Sequence, residues 1–183
     1  VPGNARNGIV LNVTDTGLIS NEPSTRTEDE GFVTTFTQGD QIGLFAVKDG
    51  AILDEINNMP FTFNGSSWSG KPILYDDRLA GVTFYAYYPY QPDMSDKTDL
   101  AGDDFFAPLV AGWELTTEQS DQKAYAKQDL MTSNATALIG ENGNYSLSFQ
   151  LTHRMSLVVV KLPSTRYIFR DAEGVAMPEE TPY

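Results

Sequence analysis

No cysteine occurs in this chain. That absence removes disulfide frameworks, thiolate nucleophiles and cysteine-based metal sites together. It leaves the compartment open, and the acidic, Thr- and Asn-rich composition suits an exported protein. Basic residues are also scarce: 12 Lys and Arg stand against 25 Asp and Glu, a formal net charge of −13. Such a surface repels phosphate backbones and anionic headgroups, so nucleic acid and membrane-surface partners are disfavoured. Long apolar runs are missing as well, none approaching the roughly 18 to 20 residues of a membrane-spanning helix. The opening Val1-Pro2-Gly3-Asn4 is not that of a signal peptide. For an exported protein, a signal and any lipid-bearing cysteine are therefore expected upstream of Val1.

Histidine is nearly absent. His153 is the single example, and lying between two strand-like runs it reads as a buried or edge residue bonded to backbone rather than as a general base. The sequence holds no nucleophile elbow, no phosphate-cradling glycine loop and no His-rich metal spacing. No catalytic residue, cofactor site or metal ligand is therefore assigned. Glycosidase-type carboxylate pairs carry no signal in so acidic a chain. Asp93, Asp96, Asp99, Asp103 and Asp104 could gather oxygen ligands for calcium, but they lack the spacing of an EF-hand and read as a solvated acidic loop. Asn-x-Ser/Thr triplets begin at Asn12, Asn64, Asn134 and Asn144. They mark surface loops in a eukaryotic secretory protein and arise by chance in a bacterial one.

What is present is alternation. With 183 residues and 40% hydrophobic content the chain can bury a core as one principal domain. Runs of period two rich in Val, Ile, Phe, Tyr and Thr occur at 8–14, 31–37, 41–48, 60–64, 82–88, 145–152 and 155–162. Between them lie turn signals such as Gly39-Asp40, Asp49-Gly50, Asn64-Gly65 and Glu141-Asn142-Gly143-Asn144. Short strands joined this way predict an all-β fold, an antiparallel sandwich or barrel. The inward alternating positions nominate Ile42, Leu44, Phe84, Ala86, Leu147, Phe149, Leu157 and Val159 as core. Helical signal is thin: 116–131 reads as a loop with a turn or two. The stretch 89–113, with three prolines and those five aspartates, reads as an exposed excursion.

In the run Phe84-Tyr85-Ala86-Tyr87-Tyr88-Pro89-Tyr90, alternation puts Phe84, Ala86 and Tyr88 on one face and Tyr85 and Tyr87 on the other. That describes a strand covered on both sides. The competing reading is a glycan-stacking platform of Tyr87, Tyr88 and Tyr90 in a carbohydrate-binding cell-surface lipoprotein domain.

Taken in order, Gly39-Asp40-Gln41-Ile42-Gly43-Leu44-Phe45-Ala46-Val47, Trp68, the aromatic run from Val82 to Tyr90, Ser120-Asp121-Gln122 with Tyr125-Ala126 and Asp129-Leu130-Met131, and Phe149 to Leu162 with His153, Met155 and Ser156 resemble the fimbrillin family of Bacteroides-like bacteria. The resemblance spans roughly 25–162. It implies a Greek-key, transthyretin-like β-sandwich, no catalysis, and a structural or adhesive role in fimbriae, extracellular at the outer-membrane surface or in the fimbrium. It implies partners too: other pilin subunits joined by strand addition, and host or bacterial surface ligands. The domain division expected is 1–30 as first strand and linker, 31–170 as sandwich, and 171–183 as linker toward a second domain absent here. By the family's apparent assembly route, 8–14 is the removable strand. Arg26 is then the first candidate for cleavage by an arginine-specific protease, and Arg6 the second.

Overall fold

The structure, a computed structural model, describes residues 8–16, 36–115 and 128–155. Across them the alternating runs become β1 (Val10–Asp15), β2 (Gln41–Lys48), β4 (Met59–Phe63), β6 (Thr83–Tyr88) and β10 (Asn144–His153). Shorter strands fill the gaps: β3 (Ala51–Ile52), β5 (Trp68–Gly70), β7 (Met131–Ser133), β8 (Thr136–Ala137) and β9 (Ile139–Glu141). Strands thus dominate the regular structure of the described residues, beside one short α-helix, α1 (Ala107–Ala111), and single 3-10 turns at Asp54–Ile56 and Asp77–Leu79. The strands join in the order β1-β10-β7-β6-β2-β4-β5, with β3 added to β2, β8 to β6 and β9 to β10.

Two hairpins show how local chemistry sets this order. Asp49-Gly50 joins β2 to β3, and Asn142-Gly143 joins β9 to β10, each with positive φ at both residues (51° and 75°; 52° and 79°). A two-residue loop with both φ angles positive matches the right-handed twist of its flanking strands, and Asp-Gly and Asn-Gly are the pairs that accept it.

β2 and β6 form the centre, paired antiparallel with Leu44 opposite Ala86 and Ala46 opposite Phe84. On one face Ile42, Leu44, Ala46, Phe84, Ala86 and Tyr88 join Leu147, Phe149 and Leu151 of β10 in the main core. The nominated Ile42, Leu44, Phe84, Ala86, Leu147 and Phe149 are all buried; Leu157 and Val159 lie outside the described residues. On the opposite face Phe45 and Tyr87 meet Met94, Phe105, Phe106, Leu109 and Leu130 in a second cluster. Gly43, opposite Tyr87, makes this possible, since a Cβ there would sit 2.2 Å from the tyrosine ring.

Three expectations need correction. The stretch 89–113 is not simply an exposed excursion: Met94, Phe105, Phe106 and Leu109 cover the back of the sheet. Its aspartates do form turns, Asp93 accepting from the Ser95 N–H, Asp99 from Ala101 and Gly102, and Asp104 from Phe106. The loop therefore points acids outward and aromatics inward. Second, pairing is not antiparallel throughout, because β1 runs parallel to β10, Leu11 facing Leu147 and Val13 facing Phe149. Third, Phe36 and Thr37, the described end of the expected 31–37 strand, are not in a strand. Phe36 instead sets its ring edge-on to Trp68 and Tyr88 at 5.1 and 5.5 Å. Of the expected helical turns at 116–131 and strand at 155–162, the parts 116–127 and 156–162 lie outside the described residues.

Candidate functional site

β1 has the alternation of a strand seated by one face. Leu11 is buried and Val13 half-buried against the main core, while Val10, Asn12 and Thr14 face outward. Among the described residues no strand lies beyond β1, so its outer backbone groups stand at the end of the strand path. Its two ends are fastened differently. At the start, the Ile9 N–H donates to the Ile73 carbonyl at 2.8 Å, and Gly8 bridges Leu74. At the finish, the Thr16 N–H donates to the Leu151 carbonyl at 3.0 Å, and Asp15 turns into the interior.

Asp15 Oδ2 lies 4.0 Å from His153 Nε2, and His153 Nδ1 lies 2.8 Å from Asp129 Oδ2. All three side chains are buried, at 6%, 4% and 3% exposure. The hydrogen bond to Asp129 raises the imidazole above its ordinary value; burial opposes the rise, and the negative charges of Asp129 and Asp15 add to it. His153 is therefore buried as expected, but its partners are carboxylates rather than backbone. The pairing of Asp15 and Asp129 with His153 is not legible in the sequence, because neither neighbours it along the chain.

Beside β1, Val10, Ile139, Tyr145, Glu141, Asn142 and Asn144 help line an open groove of about 420 Å³. Val10 and Ile139 are 59% and 57% exposed on its rim. Tyr145 stacks on Tyr75 with ring centroids 3.8 Å apart.

The sugar-stacking platform is overturned by burial. Tyr87 and Tyr88 are 0% and 3% exposed, so neither has a ring face to offer a ligand. The Tyr87 hydroxyl lies 2.7 Å from Asn58 Oδ1 and accepts from the Gln91 N–H at 3.0 Å, and burial pushes both hydroxyls above the ordinary tyrosine value. Tyr90 is half-buried against the second cluster. The two candidate cleavage sites, Arg6 and Arg26, lie outside the described residues.

Comparison with known proteins meets this geometry from another side. A Bacteroides ovatus protein that carries the provisional name of a fimbrium tip subunit, Fim1C, is 93% identical over all 183 residues, which make up 34% of its length. A crystal structure of a fimbrial protein from Bacteroides ovatus superimposes with a TM-score of 0.79 at 90% identity, over 98% of this chain and 35% of that one. The chain thus spans about a third of the length of either relative. The model of the fimbrillin-like family matches residues 25–179. A match over most of the chain, on an all-β body of this order, settles its kinship: the chain belongs to the fimbrillin-like family.

Proposed function

We propose that this chain forms part of a structural and adhesive subunit of bacterial fimbriae, displayed at the cell surface and joined to other subunits by strand addition. The observation that carries the reading is the seat of β1. It comes from the far end of the sequence, pairs with β10 alone among the described strands, and inserts Leu11 and Val13 between core residues of its neighbour. A strand held this way leaves a ready template when it departs: a row of backbone donors and acceptors beside an apolar trough. A strand from another subunit has the chemistry to fill it.

In this reading a cut after Arg26 separates 1–26 from the body covalently, with Arg6 as the secondary site. Residues 31–170 act as one Greek-key, transthyretin-like unit. The role is non-catalytic, consistent with the family. Contact with host or bacterial surfaces belongs to the assembled fimbria.

Limited digestion with an arginine-specific protease, followed by sizing, tests the proposal. Cleavage in the 20–30 segment with loss of β1 and growth of multimers supports it. A cut chain that keeps its thermal stability and stays monomeric contradicts it.

A further inference from the structure

Between β1 and the rest of the sheet lies a titratable side chain that neither packing nor strand addition uses. His153, at the end of β10, stands between Asp15 of β1 and Asp129 of the segment entering β7, and all three side chains are at most 6% exposed. An imidazolium there carries a proton on both ring nitrogens, and its charge faces Asp129 Oδ2 at 2.8 Å and Asp15 Oδ2 at 4.0 Å. A neutral imidazole keeps one proton. The 2.8 Å contact with Asp129 retains it on Nδ1, which turns the bare Nε2 toward Asp15. Loss of the imidazolium charge removes its attraction for Asp15, and that loss falls on the strand that can leave.

We propose that the protonation state of His153 sets how firmly β1 is held: the strand is latched while the imidazole is charged and loosens when it becomes neutral. The proposal concerns docking alone and holds whether or not another subunit ever replaces the strand. The charged and titratable groups around the imidazole come from several elements. Asp15 faces it from β1 and Asp129 from the segment before β7. On β6 the Tyr88 hydroxyl feels Asp129 and lies 3.4 Å from Asp40 Oδ1. Next along the chain, Arg154 is engaged by Asp104 across the loop.

The direction of the pH effect follows. His153 is raised above its ordinary value in the folded protein, chiefly through the hydrogen bond to Asp129. Its contribution is therefore fully present below the unfolded value and is lost as pH rises through the raised one. Because His153 is the only histidine in the chain, its ring signals in an NMR titration need no assignment by mutation.

The experiment follows that titration together with amide exchange in β1 and β6, corrected for intrinsic rates, between about pH 5 and about pH 8. Protection of β1 relative to β6 is expected to fall on the order of tenfold as the imidazole loses its proton. Asp15→Asn should lower the midpoint of the His153 titration and flatten the change in β1. A β1-to-β6 ratio that stays constant through the wild-type titration overturns the proposal, as does an Asp15→Asn midpoint equal to that of the wild type. The wild-type ratio decides the matter alone if the variant does not fold.

Discussion

β6 and β1 are both six-residue strands of alternating apolar residues, yet the sheet holds them in opposite ways. β6 pairs with β2, β7 and β8, and its two faces enter two separate clusters. β1 pairs with β10 and is seated by one face, through Leu11, Val13 and the inward Asp15. Side-chain burial on two faces ties a strand to global unfolding, whereas a strand bound along one edge by one face can open by itself. The centre of the molecule thus carries stability, and its β1 edge carries the capacity for change.

The largest effects should come from emptying the centre. Phe84→Ala or Phe149→Ala should lower unfolding stability by about 3 to 5 kcal/mol in urea titration. A loss below about 1 kcal/mol at both would show that the face assignment is wrong. Gly43→Ala should cost about 2 kcal/mol, because its methyl group collides with the Tyr87 ring that crosses the strand there.

At the edge, Leu11→Ala should also cost about 2 kcal/mol, but as lost amide protection in β1 with little change in β6. An equal loss in both strands would erase the distinction between them. Tyr87→Phe sharpens the comparison from the central side. Deleting the hydroxyl strips a partner from Asn58 and from the Gln91 N–H, at a global cost of about 1 kcal/mol. Smallest of all, Val10→Thr on the outward face of β1 should stay within about 0.5 kcal/mol of the parent, since the residue is 59% exposed.

The contrast also explains what could be read from the amino acids alone. Alternation at 83–88 assigned Phe84, Ala86 and Tyr88 to one side and Tyr85 and Tyr87 to the other, and each group lies in its own cluster. Asp49-Gly50 and Asn142-Gly143 announced hairpins because their φ angles are a local property. What escaped was long-range. Phe105 and Phe106 sit in an acidic stretch broken by prolines, and only the presence of Phe45 and Tyr87 beneath them makes that stretch a lid on the sheet. Strands of two or three residues such as β3, β7 and β8 are too short to show a period. The parallel pairing of β1 has no hairpin to declare it, and the two partners of His153, Asp15 and Asp129, come from distant places in the chain. The proposed cleavage sites show the opposite limit, being sequence readings that fall outside the described residues.

The central claim is that β1 opens independently of the sheet centre, and native-state hydrogen exchange in low concentrations of denaturant at fixed pH tests it most directly. The account predicts that β1 amides exchange through a small opening nearly insensitive to denaturant, while β6 amides exchange through global unfolding with a steep dependence. If β1 and β6 share one opening free energy and one denaturant slope, the strand is an integral part of the core and the account is contradicted.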